Sequence, residues 1–97
     1  MGGVLRVVTL DARPDKVAEM QRVLCEDVVA MYAKNGCDHC HIGREMDKPA
    51  EFVVISIWHD GKQLESMRMT PEYASVIAEV RVRSRTGLKE FMYDMLA

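Results

Sequence analysis

Glu51-Phe52-Val53-Val54-Ile55-Ser56-Ile57-Trp58 is the stretch on which the fold turns. Six of its eight residues are β-branched or aromatic, which reads as a strand. Both of its side-chain parities are apolar, Phe52, Val54 and Trp58 on one and Val53, Ile55 and Ile57 on the other. A layer of helices can cover only one face of a sheet, so the opposite face needs a second cover. Immediately upstream, Asp47-Lys48-Pro49-Ala50 is a turn, and residues 37–46 alternate weakly, so the two segments form a β-hairpin.

Working outward, Val4 to Leu10 is a first strand, again apolar on both parities. Pro14 suits the first position of a helix, with Asp15 at the positive end of its dipole. Val17, Met20, Leu24, Val28 and Met31 then recur at spacings of three and four, and Lys34-Asn35-Gly36 supplies a left-handed cap. After the hairpin, Asp60 and Gln63 open a second helix carrying Leu64 and Met67. Thr70-Pro71-Glu72 restarts it, with Tyr73, Val76, Ile77 and Val80 as the inner face. Leu88 to Leu96 fits a last strand, reached through a solvated connection at Arg81-Val82-Arg83-Ser84-Arg85. The order is β-α-β-β-α-β, an α+β, ferredoxin-like antiparallel sheet with two helices on one face. The most economical cover for the open face is the same face of a second copy, giving a homodimer.

A chain of 97 residues has room for one domain, residues 1–97. With 48% hydrophobic and 29% charged residues and a net charge of −2, it is neither disordered nor built to bind a polyanion, so nucleic acid is not an expected partner. No apolar run approaches the roughly 20 residues of a membrane span, and residues 1–6 lack the features of a signal peptide, so a cytoplasmic protein is expected. Its three cysteines then read as free thiols.

Taken together, Val7-Val8-Thr9-Leu10-Asp11-Ala12-Arg13-Pro14-Asp15-Lys16, Asn35-Gly36-Cys37, Glu51-Phe52 to Ile57-Trp58, and Leu64 with Thr70-Pro71-Glu72-Tyr73 resemble the antibiotic biosynthesis monooxygenase family. The resemblance implies a dimeric α+β barrel in which two sheets pack face to face, with a small cleft between sheet and helices in each subunit. It also implies oxygenation of phenolic polyketides or quinols by molecular oxygen without metal or flavin, other branches of the family degrading haem. Trp58 matches a tryptophan that often lines the cleft. Met67 stands where many relatives carry a histidine, and Val7, Val8 and Thr9 offer no counterpart to the asparagine of the haem-degrading branch.

Several residues invite chemistry. Cys37-Asp38-His39-Cys40-His41 contains Cys-x-x-Cys-His, but covalent haem needs an exported protein, and strand alternation separates Cys40 from Cys37, His39 and His41, which argues against a closed metal site. We therefore expect neither metal nor cofactor. Oxygenation of a phenol or enol needs a base, a donor for the substrate anion and a dry apolar cavity. The only histidines are His39, His41 and His59. His41 and Arg44 are the catalytic candidates: a base if the second strand bulges toward the cleft, and a partner for an anionic oxygen. Trp58, Ser56, Met67 and Tyr73 are the candidate contacts to a small hydrophobic or aromatic substrate. The sequence thus supports a cofactor-independent monooxygenase or, alternatively, a non-catalytic dimer that binds a small hydrophobic ligand.

Overall fold

The computed structural model describes residues 3–97. Strands β1 (Val4–Ala12), β2 (His39–Arg44), β3 (Glu51–Trp58) and β4 (Ser84–Asp94) form one antiparallel sheet in the order β2-β3-β1-β4. Helices α1 (Val17–Arg22) and α2 (Val29–Lys34) are joined without interruption by a π-helical stretch, Val23–Val28, and connect β1 to β2. Helices α3 (Gly61–Arg68) and α4 (Pro71–Arg83) connect β3 to β4. The fold is the ferredoxin-like α+β arrangement. Among the described residues no helix is long and apolar enough to cross a membrane.

Alternation assigns the two faces of the sheet. Arg6, Val8, Leu10 and Ala12 of β1 and Phe52, Val54, Ser56 and Trp58 of β3 are buried beneath the helices. Met20, Val23, Leu24, Val28, Met31 and Tyr32 meet them from the long helix, and Leu64, Met67 and Val80 from α3 and α4. On the opposite face Leu5, Val7, Val53, Ile55 and Ile57 are half-buried, flanked by the exposed side chains of Phe91 and Tyr93. This chain's own helices leave that apolar face uncovered.

Local chemistry explains the element ends. Asp60 caps α3 by accepting from the Lys62 N–H at 2.9 Å, and Thr70 caps α4 by accepting from the Tyr73 N–H at 3.1 Å, with Pro71 just inside. The second helix is therefore broken where the sequence places the break. Gly36, at φ +91°, takes the left-handed position that ends α2.

Two segments differ most from expectation. The first helix begins at Val17, because Pro14 and Asp15 belong to a turn closed by Lys16 N–H donating to the Arg13 carbonyl at 2.8 Å. Residues 81–85 are not a connection: α4 runs through Arg83 and β4 begins at Ser84. Room for the abrupt change comes from a bulge. Ser84 pairs with Ala12 and Leu88 with Leu10, so the Arg85–Gly87 segment arches outward, Gly87 at φ +97°. The Asp11 carboxylate accepts from Thr86 N–H, Thr86 hydroxyl and Arg85 Nε, and these bonds, the Thr86 hydroxyl foremost, hold it below the usual carboxylate range.

The π stretch has a packing consequence. Met20, Leu24, Val28 and Tyr32 are all buried at steps of four. In a uniform α-helix each such step drifts about 40° around the axis. A wider turn cancels part of that drift and keeps Tyr32 facing the sheet.

Candidate functional site

Helix α4 stands off the sheet. Of its inner face only Val80 is fully buried, while Tyr73, Val76 and Ile77 remain partly open. The gap is a cleft of about 160 Å³ over β1 and β4, walled by Val8, Leu24, Val54, Ile77, Val80 and Leu88. Polar groups converge in it: Arg6 from β1, Glu90 from β4, Tyr32 from α2, Tyr73 from α4, and Arg68 and Arg81 beside them.

Arg6 lies at the centre and is only 4% exposed. Its Nε donates to Glu90 Oε2 at 2.5 Å, its Nη1 to the Tyr32 hydroxyl, and its Nη2, at 3.4 Å, to the Tyr73 hydroxyl. The other carboxylate oxygen of Glu90 lies 3.5 Å from Arg68 Nη2, so Glu90 bridges two guanidiniums. Burial works against the charge on Arg6, but Tyr32 and Glu90 outweigh it and raise its pKa, leaving a fixed cation in a site of low dielectric. Burial likewise pushes the Tyr32 phenol up to about 12 despite the neighbouring guanidinium. Tyr32 therefore keeps its proton at neutral pH. Since its oxygen already accepts from Arg6, its O–H is available as a polarised donor.

Three of the residues expected to line the cleft are elsewhere. Trp58 and Met67 are 0% exposed and Ser56 is 1% exposed. They are core, because α3 packs down on the end of β3 where α4 leaves a gap over β1 and β4. Trp58 Nε1 donates to Ser56 Oγ at 2.9 Å, which satisfies both buried polar groups. The Trp58 ring packs against Tyr32, with centroids 5.5 Å apart and planes at 56°, so it braces a cleft residue from behind. Tyr73 lines the cleft itself.

His41 and Arg44 are not brought to the cleft either. β2 is the far edge of the sheet and does not bulge: His39, Cys40, His41, Ile42, Gly43 and Arg44 pair in unbroken register with Ile57, Ser56, Ile55, Val54, Val53 and Phe52. That register puts His39 and His41 on the open face, exposed and with parallel rings 6.5 Å apart. Arg44 faces the helices but donates to Gln21 Oε1 at 3.1 Å and lies over the Phe52 ring. It also borders a larger depression of about 340 Å³ at the end of the sheet, walled by Thr9, Asp11, Glu51, Val53, Thr86 and Lys89. That depression has no buried charge, and His59 is exposed beyond β3. Burial pushes the Cys40 thiol up to about 11 and raises Cys37 as well. Among the described residues no three His, Cys, Asp or Glu side chains converge as metal ligands do.

Arg6 is the residue that the sequence reading passed over. Its signal was present: a single charge within Val4–Leu10, on the same parity as Val8 and Leu10. Glu90 shares that inner parity on β4, and Tyr32 follows Val28 by four.

A family model described as antibiotic biosynthesis monooxygenase matches residues 3–83. No curated protein matches the chain. Among solved structures, a point mutant of SnoaB of Streptomyces nogalater, a cofactor-independent oxygenase, aligns with TM-score 0.89 at 19% identity, covering 100% of this chain and 96% of that one. A conserved protein of Methanosarcina mazei aligns with TM-score 0.87 at 17% identity, over 97% of this chain and 93% of that one. Rv0793 of Mycobacterium tuberculosis gives 0.86 at 19%, over 99% and 97%. At such identities these likenesses speak for the fold.

Proposed function

The chain belongs to the antibiotic biosynthesis monooxygenase family, and from that premise we propose that it is a cofactor-independent monooxygenase acting on a small aromatic, quinol-like substrate in the cleft around Arg6. The observation that carries this reading is a guanidinium 4% exposed, paired with Glu90 and bonded to two phenols, at the floor of a cleft with aliphatic side chains in its walls. Such a group stabilises a substrate anion far more strongly than the same group in water.

The reaction needs no external reductant. Glu90, the only carboxylate lining the cleft among the described residues, accepts a proton from the substrate hydroxyl. The resulting phenolate is held by Arg6, with the Tyr32 and Tyr73 hydroxyls as further donors. It transfers an electron to oxygen, and recombination at a ring carbon forms a C–O bond. Cleavage of the O–O bond leaves one oxygen on the ring and releases the other as water. A hydroquinone and one molecule of oxygen become a hydroxyquinone and one molecule of water, with all electrons supplied by the substrate.

The active form is a homodimer joined through the open sheet face, which carries Val53, Ile55, Ile57 and Phe91. One observation favours a second reading, a ligand-binding dimer without catalysis: both Glu90 oxygens are already engaged by guanidiniums, so neither is free to meet a substrate hydroxyl. Oxygen-electrode measurements with a panel of hydroquinones and anthrone-like phenols separate the two. Uptake stoichiometric with substrate and abolished in Glu90→Gln supports the oxygenase; binding without uptake supports the alternative.

A further inference from the structure

The size and charge of the cleft narrow the class of ligand. At about 160 Å³ it matches the roughly 150 Å³ cavity that holds a single benzene ring. A bicyclic or tricyclic compound exceeds that volume and has to protrude through the open side of the cleft. Of the ionisable side chains lining it, Arg6, Arg68 and Arg81 are cationic and Glu90 alone is anionic. Glu90 is shared between Arg6 and Arg68, and Arg68 also meets Glu65 at 3.4 Å on its own helix. Arg81 has no carboxylate within ion-pair distance among the described residues, although it borders the opening. The floor therefore holds a neutralised guanidinium and two phenols, whereas the opening holds an unanswered positive charge.

We infer that the ligand is a monocyclic aromatic carboxylate of the hydroxybenzoate class, its ring between Ile77 and Leu88, its phenolic oxygen toward Arg6 and Tyr32, and its carboxylate on Arg81. Guanidinium is the side chain best matched to a carboxylate, which it binds with two parallel hydrogen bonds. This rests on the cleft being the substrate site proposed above, but binding and turnover fail separately.

The test is anaerobic quenching of the single tryptophan, Trp58, which lies against Tyr32. The probes are 2,5-dihydroxybenzoate, its methyl ester, hydroquinone and 1,8-dihydroxyanthrone. The free acid is expected to bind at least tenfold more tightly than its ester or hydroquinone, with the anthrone weakest, and the exposed change Arg81→Gln is expected to narrow the acid-to-ester gap to under threefold. Equal affinities for acid and ester, an anthrone as tight as the acid, or a gap unaltered in Arg81→Gln would overturn the inference. If the acid binds as described but no oxygen is consumed, the ligand class stands and the oxygenase reading falls. If neutral quinols are oxidised with no preference for the acid, the reverse holds.

Discussion

Replacing Arg6 with Met keeps most of the side-chain bulk and removes the charge at the centre of the cleft. The wild-type guanidinium makes a charged bond to Glu90 at 2.5 Å and donates to two phenols. Stripping one partner from a fully buried ion pair typically costs about 3–5 kcal/mol, mostly from the orphaned charge. Here the Glu90 side chain is 31% exposed and keeps Arg68 at 3.5 Å, so the orphan remains partly solvated and partly paired. The expected loss is about 2 kcal/mol. For a domain of this size that lowers Tm by roughly 8–16 °C. Adding Glu90→Gln removes the orphan, so the double variant should recover at least about 1 kcal/mol relative to the sum of the singles. Urea denaturation of all four proteins gives the cycle, at one protomer concentration because association shifts apparent stability. Additivity within about 0.5 kcal/mol would refute the network. Oxygen uptake by Arg6→Met, at temperatures where it is folded, should fall by about 10²–10³, the usual effect of removing a donor to a developing anion.

Three further outcomes are expected. Ile55→Lys on the open face should give monomer or aggregate in light scattering, because an unpaired charge buried in the interface costs several kcal/mol, to order of magnitude; a native-like dimer would contradict that assignment of the interface. Tyr32 favours its neutral form in the folded protein, so its contribution to stability is intact below the ordinary phenol value of 10.0 and lost as pH rises toward about 12; the last phenolate absorbance to appear on alkaline titration should be missing in Tyr32→Phe. Trp58→Ala should cost about 3–5 kcal/mol as a core truncation, and since Trp58 braces Tyr32, ligand affinity should drop in calorimetry beyond what Ser56→Ala produces.

Much of the fold was legible because strands and helix ends are decided by local chemistry. The double-sided apolar pattern of Glu51–Trp58 identified the strand that shares the centre of the sheet with β1, and Thr70-Pro71 located the helix break. The abrupt passage from Arg83 to Ser84 was not legible, since it depends on Asp11, some seventy residues away, gathering Arg85 and Thr86 into a bulge. The site was harder to read for a related reason. Alternation correctly separates Trp58 and Ser56 from Ile55 and Ile57, yet it does not say which stretch of the inner face a helix presses on and which it bridges. The family pattern drew attention to Trp58, whereas the cleft opened one strand over, above β1 and β4.

Stability by itself gives little reason for Arg6 to be where it is. A buried ion pair is often no better than well-packed apolar side chains of similar volume, and Val8 and Leu10 show what the same parity of β1 carries elsewhere. Met or Leu at position 6 would close the floor of the cleft and release Glu90 to solvent. Instead the fold spends three elements on one guanidinium: the π stretch in the long helix keeps Tyr32 turned toward it, the break at Thr70 begins the helix that brings Tyr73, and β4 delivers Glu90 directly opposite Val8. Together they surround one cation with a carboxylate and two phenols, of which Tyr32 is kept protonated by burial. Once Glu90 has taken up a proton, a charge held that way is free to stabilise negative charge in whatever fills the remaining space, and on the reading proposed above that is the anion of a phenol.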